Sequence, residues 1–128
     1  RAGISGVLFD AALLLAAKLT EMPELLQKGT AVLEMGCGTA CAGLVAAALG
    51  ADVVCTDVSA RALQLAERSA ADSGLHGVRV ERWDWNDPCP AACTGARIIL
   101  AADLVYSEEL ARLMLGALAR TAEDGCIV

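Results

Sequence analysis

Aromatic side chains are nearly missing from this chain: two Trp, one Tyr and one Phe, or 3% of 128 residues. A domain of this length can bury a core of its own. Because 56% of the residues are apolar, that core must be built from Ala, Leu and Val. Histidine is represented only by His76, between the turn residues Gly74 and Gly77, so no histidine-based metal centre is expected. The six cysteines include one close pair, Cys89 and Cys93, whose C-x3-C spacing falls outside the usual zinc pairs. They read as reduced thiols of an intracellular protein, cytoplasmic or alternatively nuclear, and no metal is expected. Basic charge is also short, ten Lys and Arg against sixteen Asp and Glu, a net charge of -6. With no basic stripe to neutralise phosphates, a nucleic-acid partner is not expected, and a cationic substrate suits the balance better. No apolar run reaches the length of a membrane span, and residues 11–17 are bracketed by Asp10 and Lys18. Internal repeats and linker-like tracts are absent, so residues 1–128 read as one domain.

What is present centres on residues 31–57. An apolar run (Ala31-Val32-Leu33) leads through Glu34 into a loop with Gly36 and Gly38. An Ala-rich segment follows, then Gly50, then Val53-Val54-Cys55 and Asp57. This is the pattern of strand, glycine turn, helix and strand, a βαβ unit of a parallel sheet. Glycines allow a sharp turn and a close ligand approach. Asp57 falls at the carboxyl end of the second strand, where open α/β sheets bind ligands. A nucleoside-containing cofactor with Asp57 on its ribose hydroxyls is expected there, at an exposed strand end.

Around this unit, residues 10–20 are strong helix formers on nearly all sides and predict a well-buried helix, broken by Pro23. Residues 24–28 predict a short helical turn. Ser59 can cap a helix over residues 60–73. Residues 78–83 alternate like a strand nearer a sheet edge. Residues 89–96 read as loop, and residues 98–102 as a strand covered on both faces. Ser107 can cap a helix presenting Leu110, Leu113, Met114, Ala117 and Leu118 on one face, with Glu108, Glu109 and Arg120 placed to suit its dipole. The expected fold is α/β with parallel strand order 3-2-1-4-5. Its switch-point crevice lies between Gly36–Gly38 and Ala102-Asp103. The chain starts at Arg1 and stops at Val128 within an apparent strand, so it is expected to be an excerpt whose further C-terminal strands are missing.

Three ligands compete for the glycine loop. No Lys follows these glycines, which excludes a Walker loop. A dinucleotide site would place Cys41 where a small residue is wanted. An S-adenosylmethionine site uses an acidic residue before G-x-G-x-G, and Glu34-Met35-Gly36-Cys37-Gly38-Thr39-Ala40 fits, with Ala40 for the third glycine.

Together with Asp84-Trp85 and the run from Ala101 to Glu109 (AADLVYSEE), the stretch VLEMGCGTACAGLVAAALGADVVCTD resembles methyltransferase family 16, small seven-strand protein-lysine methyltransferases. The entry Val7-Leu8-Phe9-Asp10 is similar too, with Phe9 where that family usually has Trp. The resemblance implies a Rossmann-like transferase using S-adenosyl-L-methionine to methylate a lysine amine of a protein, monomeric when complete. It implies that Glu34 reaches the methionine ammonium through water and that Gly36 and Gly38 let the backbone pass close to the cofactor. Asp57 would take the ribose, Asp84 and Trp85 would flank the adenine, and Phe9 and Ala102 would line the pocket. Asp103 and Tyr106 would stand at the methyl-transfer mouth as the catalytic pair. Plainer roles stay open: a strand-end cap for Asp57, a core aromatic for Trp85, packing for Tyr106, a helix cap for Asp103. A small-molecule amine methyltransferase and a non-catalytic cofactor-binding module are the alternatives.

Overall fold

The computed structural model describes residues 10–102 and 107–121, with side chains from residue 13 onward. Four strands, β1 (Ala31–Met35), β2 (Asp52–Asp57), β3 (Val78–Arg82) and β4 (Ile98–Ala101), form one sheet in the order β3-β2-β1-β4. All pairings are parallel, with Leu33 opposite Val54 on one side and Ile99 on the other. Four helices accompany them: α1 (Asp10–Glu21), α2 (Cys41–Ala48), α3 (Ala60–Asp72) and α4 (Glu108–Thr121). The expected order is found over these strands, and the fifth, expected at Cys126–Val128, lies outside the described residues.

Period-two alternation sends β1 side chains to two cores. Val32 joins Leu19, Leu26, Ala42, Ala46, Val53, Ile98 and Leu100 on one face. Leu33 and Met35 join Val54, Trp83, Cys93, Ile99 and Ala117 on the other. Burial on both faces explains the continuous apolar runs of β1 and β4. Truncating a fully buried side chain such as Leu33 to Ala would cost about 2–5 kcal/mol.

The caps agree with expectation. Ala62 N donates to Ser59 Oγ at 3.2 Å, and Leu110 N to Ser107 Oγ at 3.1 Å. The first helix does not match its expected burial: Leu13 and Leu14 are 46% and 71% exposed. Only the face carrying Leu15, Ala16 and Leu19 packs inward, because α1 packs mainly against α2. Two short segments are tighter than expected, forming 3-10 turns at Pro23–Leu25 and Ala91–Cys93.

Candidate cofactor site

The carboxyl ends of β1, β2 and β4 converge on the glycine loop. Gly36, Gly38 and Ala40 adopt left-handed φ of 57°, 53° and 60°, an alternation that turns the chain from β1 into α2. Ala40 is the only non-glycine with positive φ among the described residues, fully buried at the helix N-cap. Its methyl tolerates a conformation costing roughly 1–2 kcal/mol for an L-residue. So the substitution at the third glycine position leaves the turn in place.

Asp57 is more enclosed than expected at an exposed strand end: 7% exposed, with both carboxylate oxygens engaged. Gly38 N donates to Oδ2 at 3.0 Å, and Ser59 N donates to Oδ1 at 2.8 Å. The carboxylate therefore braces the glycine loop against the start of α3. Each oxygen keeps a further lone pair for a ligand hydroxyl. Cys37 N donates to Thr56 O at 2.7 Å, and Thr56 Oγ1 donates to Glu34 O at 2.8 Å, stapling the two strand ends together.

Glu34 points into the layer between sheet and α2. A Cβ added to Gly43 would come within 2.6 Å of Glu34 Oε1 and 2.9 Å of Cys55 Sγ, so the helix needs glycine there. Oε1 is buried without a hydrogen-bond partner. Burial pushes the carboxyl up to about 8, drawn back by the Gly43 amide and the Cys55 thiol, with the Asp57 charge adding to the rise. Burial likewise raises the neighbouring Cys41 thiol, with Glu34 contributing.

The adenine side is built differently. Asp84 Oδ1 accepts from Asn86 N and Nδ2, both at 2.9 Å, bonds that hold its carboxyl below the usual range. Trp85 is half-buried against the Leu33–Met35 core face, and Ala102 follows β4 beside the loop. The pairing of Met35 with Ala101 sets Gly36 and Ala102 on the two sides of the switch-point crevice. Phe9, Asp103 and Tyr106 lie outside the described residues.

A family profile described as lysine methyltransferase matches residues 1–128. The chain belongs to this lysine methyltransferase family. It is 34% identical to the protein N-lysine methyltransferase METTL21A of Danio rerio over the whole chain and 60% of that protein. Among solved structures, it resembles Arabidopsis thaliana protein arginine methyltransferase 10 with a TM-score of 0.76 at 15% identity, covering 97% of this chain and 38% of that one. Coclaurine N-methyltransferase, solved with SAH, gives 0.69 at 19% identity, covering 94% and 37%. The chain spans 50–60% of the length of the METTL21A relatives it matches.

The residues of this chain fit the family's cofactor, S-adenosylmethionine. A carboxylate with spare lone pairs stands at the strand end, the loop before it carries no Cβ at positions 36 and 38, and an orphaned carboxylate oxygen lies beneath. Sequence reasoning missed Gly43, Thr56 and Ser59 N. An isolated glycine inside a helical pattern was the available signal for Gly43, since it marks close approach. The other two depend on strand register and had no signal.

Proposed function

We propose that this chain is the catalytic core of a transferase moving a methyl group from S-adenosylmethionine to a lysine amine of a protein substrate. The observation that carries the reading is the Asp57 carboxylate, held by the amides of Gly38 and Ser59 at the switch point of a lysine-methyltransferase-family sheet. When bound, the cofactor supplies an electrophilic methyl on a sulfonium. Asp57 accepts the ribose hydroxyls, in charge-assisted bonds that fix the ligand's orientation. The buried Glu34 carboxyl, raised to about 8 without a ligand, would be drawn back toward its charged form by the cationic ammonium end. Trp85 gives the adenine an apolar face. Asp103 and Tyr106 act on the acceptor: they orient the lysine amine and disperse charge as its proton leaves, so that the lone pair faces the methyl. The acceptor is cationic before that step, which suits a chain of net charge -6.

The free thiols of Cys37, Cys41, Cys55, Cys89 and Cys93 support a reducing compartment, cytoplasmic or nuclear. No helix among the described residues is long and apolar enough to cross a membrane. We take the working form to be a monomer acting on protein and not on nucleic acid, to be checked by size-exclusion chromatography.

The test is transfer of labelled methyl by the full-length protein in a cell extract and to free amines, with the labelled species identified by mass. Label on protein lysine supports the reading. Label confined to small amines, or no transfer by a protein that binds the cofactor, sinks it.

A further inference from the structure

The connection from β3 to β4 is the longest between regular elements among the described residues, and its hydrogen bonds are local. Asp84 Oδ1 holds Asn86, Asp87 N donates to Asp84 O at 2.8 Å, and Trp83 Nε1 donates to Asp87 O at 3.3 Å. Cys93 N and Thr94 N return to Pro90 O and Ala91 O within the same stretch. Between Trp85 and Gly95, among the described residues, one hydrogen bond reaches another element. Arg120 Nη2, in the last turn of α4, donates to Trp85 O at 2.8 Å.

The surroundings suit that contact. A Cβ on Gly116, one turn earlier in α4, would lie 3.4 Å from Arg120 Nη1, so the guanidinium rests beside a residue with no side chain. Met114, Ala117 and Leu118 of the same helix pack on the core whose margin Trp85 joins. A guanidinium is rigid and directional, so a carbonyl it holds keeps one orientation. Fixing that carbonyl fixes the peptide from which the indole projects.

We propose that Arg120 is a positioning residue for the adenine end of the cofactor site. It acts through Trp85, tying an otherwise self-contained loop to α4 so that the indole is in place before the cofactor arrives. The inference rests on the methyltransferase reading above.

The test uses calorimetry on the full-length protein with S-adenosylhomocysteine and with 5′-methylthioadenosine, comparing parent, Arg120→Ala and Arg120→Lys. Arg120→Ala weakens both ligands by the same factor, about 3–10-fold for loss of one charge-assisted bond. Arg120→Lys recovers most of the loss. The KM for S-adenosylmethionine rises while kcat at saturation stays at the parent value, and the melting temperature without ligand is unchanged. Equal affinity in Arg120→Ala and a parent that binds overturns the positioning role alone. A drop in melting temperature that tracks the affinity loss, with no rescue by Lys, also overturns it in favour of a structural role. A parent that binds neither ligand overturns the methyltransferase reading, and this proposal with it.

Discussion

The two ends of the candidate cofactor site are held by different means. At the β1–β2 end, Asp57 accepts from two backbone amides, Thr56 Oγ1 donates to the Glu34 carbonyl, and Cys37 N donates to the Thr56 carbonyl. All of these partners are at least half-buried. At the β3–β4 end, the loop bonds mainly to itself and meets α4 through one exposed arginine. The first end is preorganised by the sheet itself, so a ligand there finds its acceptors already aimed. The second relies on that one tether to hold its indole in place, which suits a hydrophobic ring face more than a set of directed hydrogen bonds.

The comparison is broken most severely at Asp57. Asp57→Ala leaves Gly38 N and Ser59 N without their acceptor, which lowers folding stability by about 2–3 kcal/mol and cofactor affinity by about 1.5–3 kcal/mol. Urea unfolding and calorimetry on the full-length protein read the two losses separately. Parent-like stability would mean that the carboxylate does not brace the loop.

Glu34 gives an effect of comparable size, as a pH dependence. Its carboxyl is raised to about 8 in the folded chain by burial, so folding favours the protonated form. This contribution to stability is complete below the unfolded value of 4.5 and is lost as pH rises through about 8. Between pH 5 and 8 the loss is roughly 3–4 kcal/mol at about 1.4 kcal/mol per unit. Glu34→Gln, which cannot ionise, should show a flatter profile by that amount in urea titrations at the two pH values. Identical slopes in parent and variant would mean that Glu34 folds already charged.

Trp85 sharpens the contrast from the other side. Trp85→Ala should weaken cofactor binding by about 1–3 kcal/mol through lost stacking, and Trp85→Phe by much less. A Phe variant as weak as the Ala variant would point to a need for the indole N–H instead.

Ala40 gives the smallest shift. Ala40→Gly relieves left-handed strain of about 1–2 kcal/mol. Against that stand roughly 0.5–1 kcal/mol of backbone entropy and about 0.8 kcal/mol for the buried methyl. Stability should stay within about 1 kcal/mol of the parent, whereas Ala40→Val, adding bulk at positive φ, should lose more than about 2 kcal/mol. Thermal melts of the two variants check this.

The sheet order, the helix caps and the position of Asp57 were legible because each rests on a local pattern: apolar runs, glycine turns, Ser59 and Ser107 before helical periodicity. The enclosure of Asp57 was not, since it depends on Gly38 and Ser59 folding back onto one carboxylate across the loop. Glu34 was read as facing a ligand, and its burial beneath Gly43 follows from how closely α2 approaches the sheet. The exposure of Leu13 and Leu14 escaped for a similar reason. A helix apolar on nearly every side does not say which side its neighbours cover. Arg120 reads in sequence only as a favourable charge at a helix end, and its bond to Trp85 spans 35 positions.

Hydrogen exchange on the full-length protein, with and without S-adenosylhomocysteine, tests the central claim most directly. Ligand binding should slow exchange over residues 84–90, where the free loop bonds mainly to itself and, among the described residues, to α4 through Arg120 alone. It should change little at the amides of Cys37, Gly38 and Ser59, which are already bonded in the free protein. Slowing confined to segments away from both, or fast exchange at Gly38 and Ser59 in the free protein, would contradict a site preorganised around Asp57.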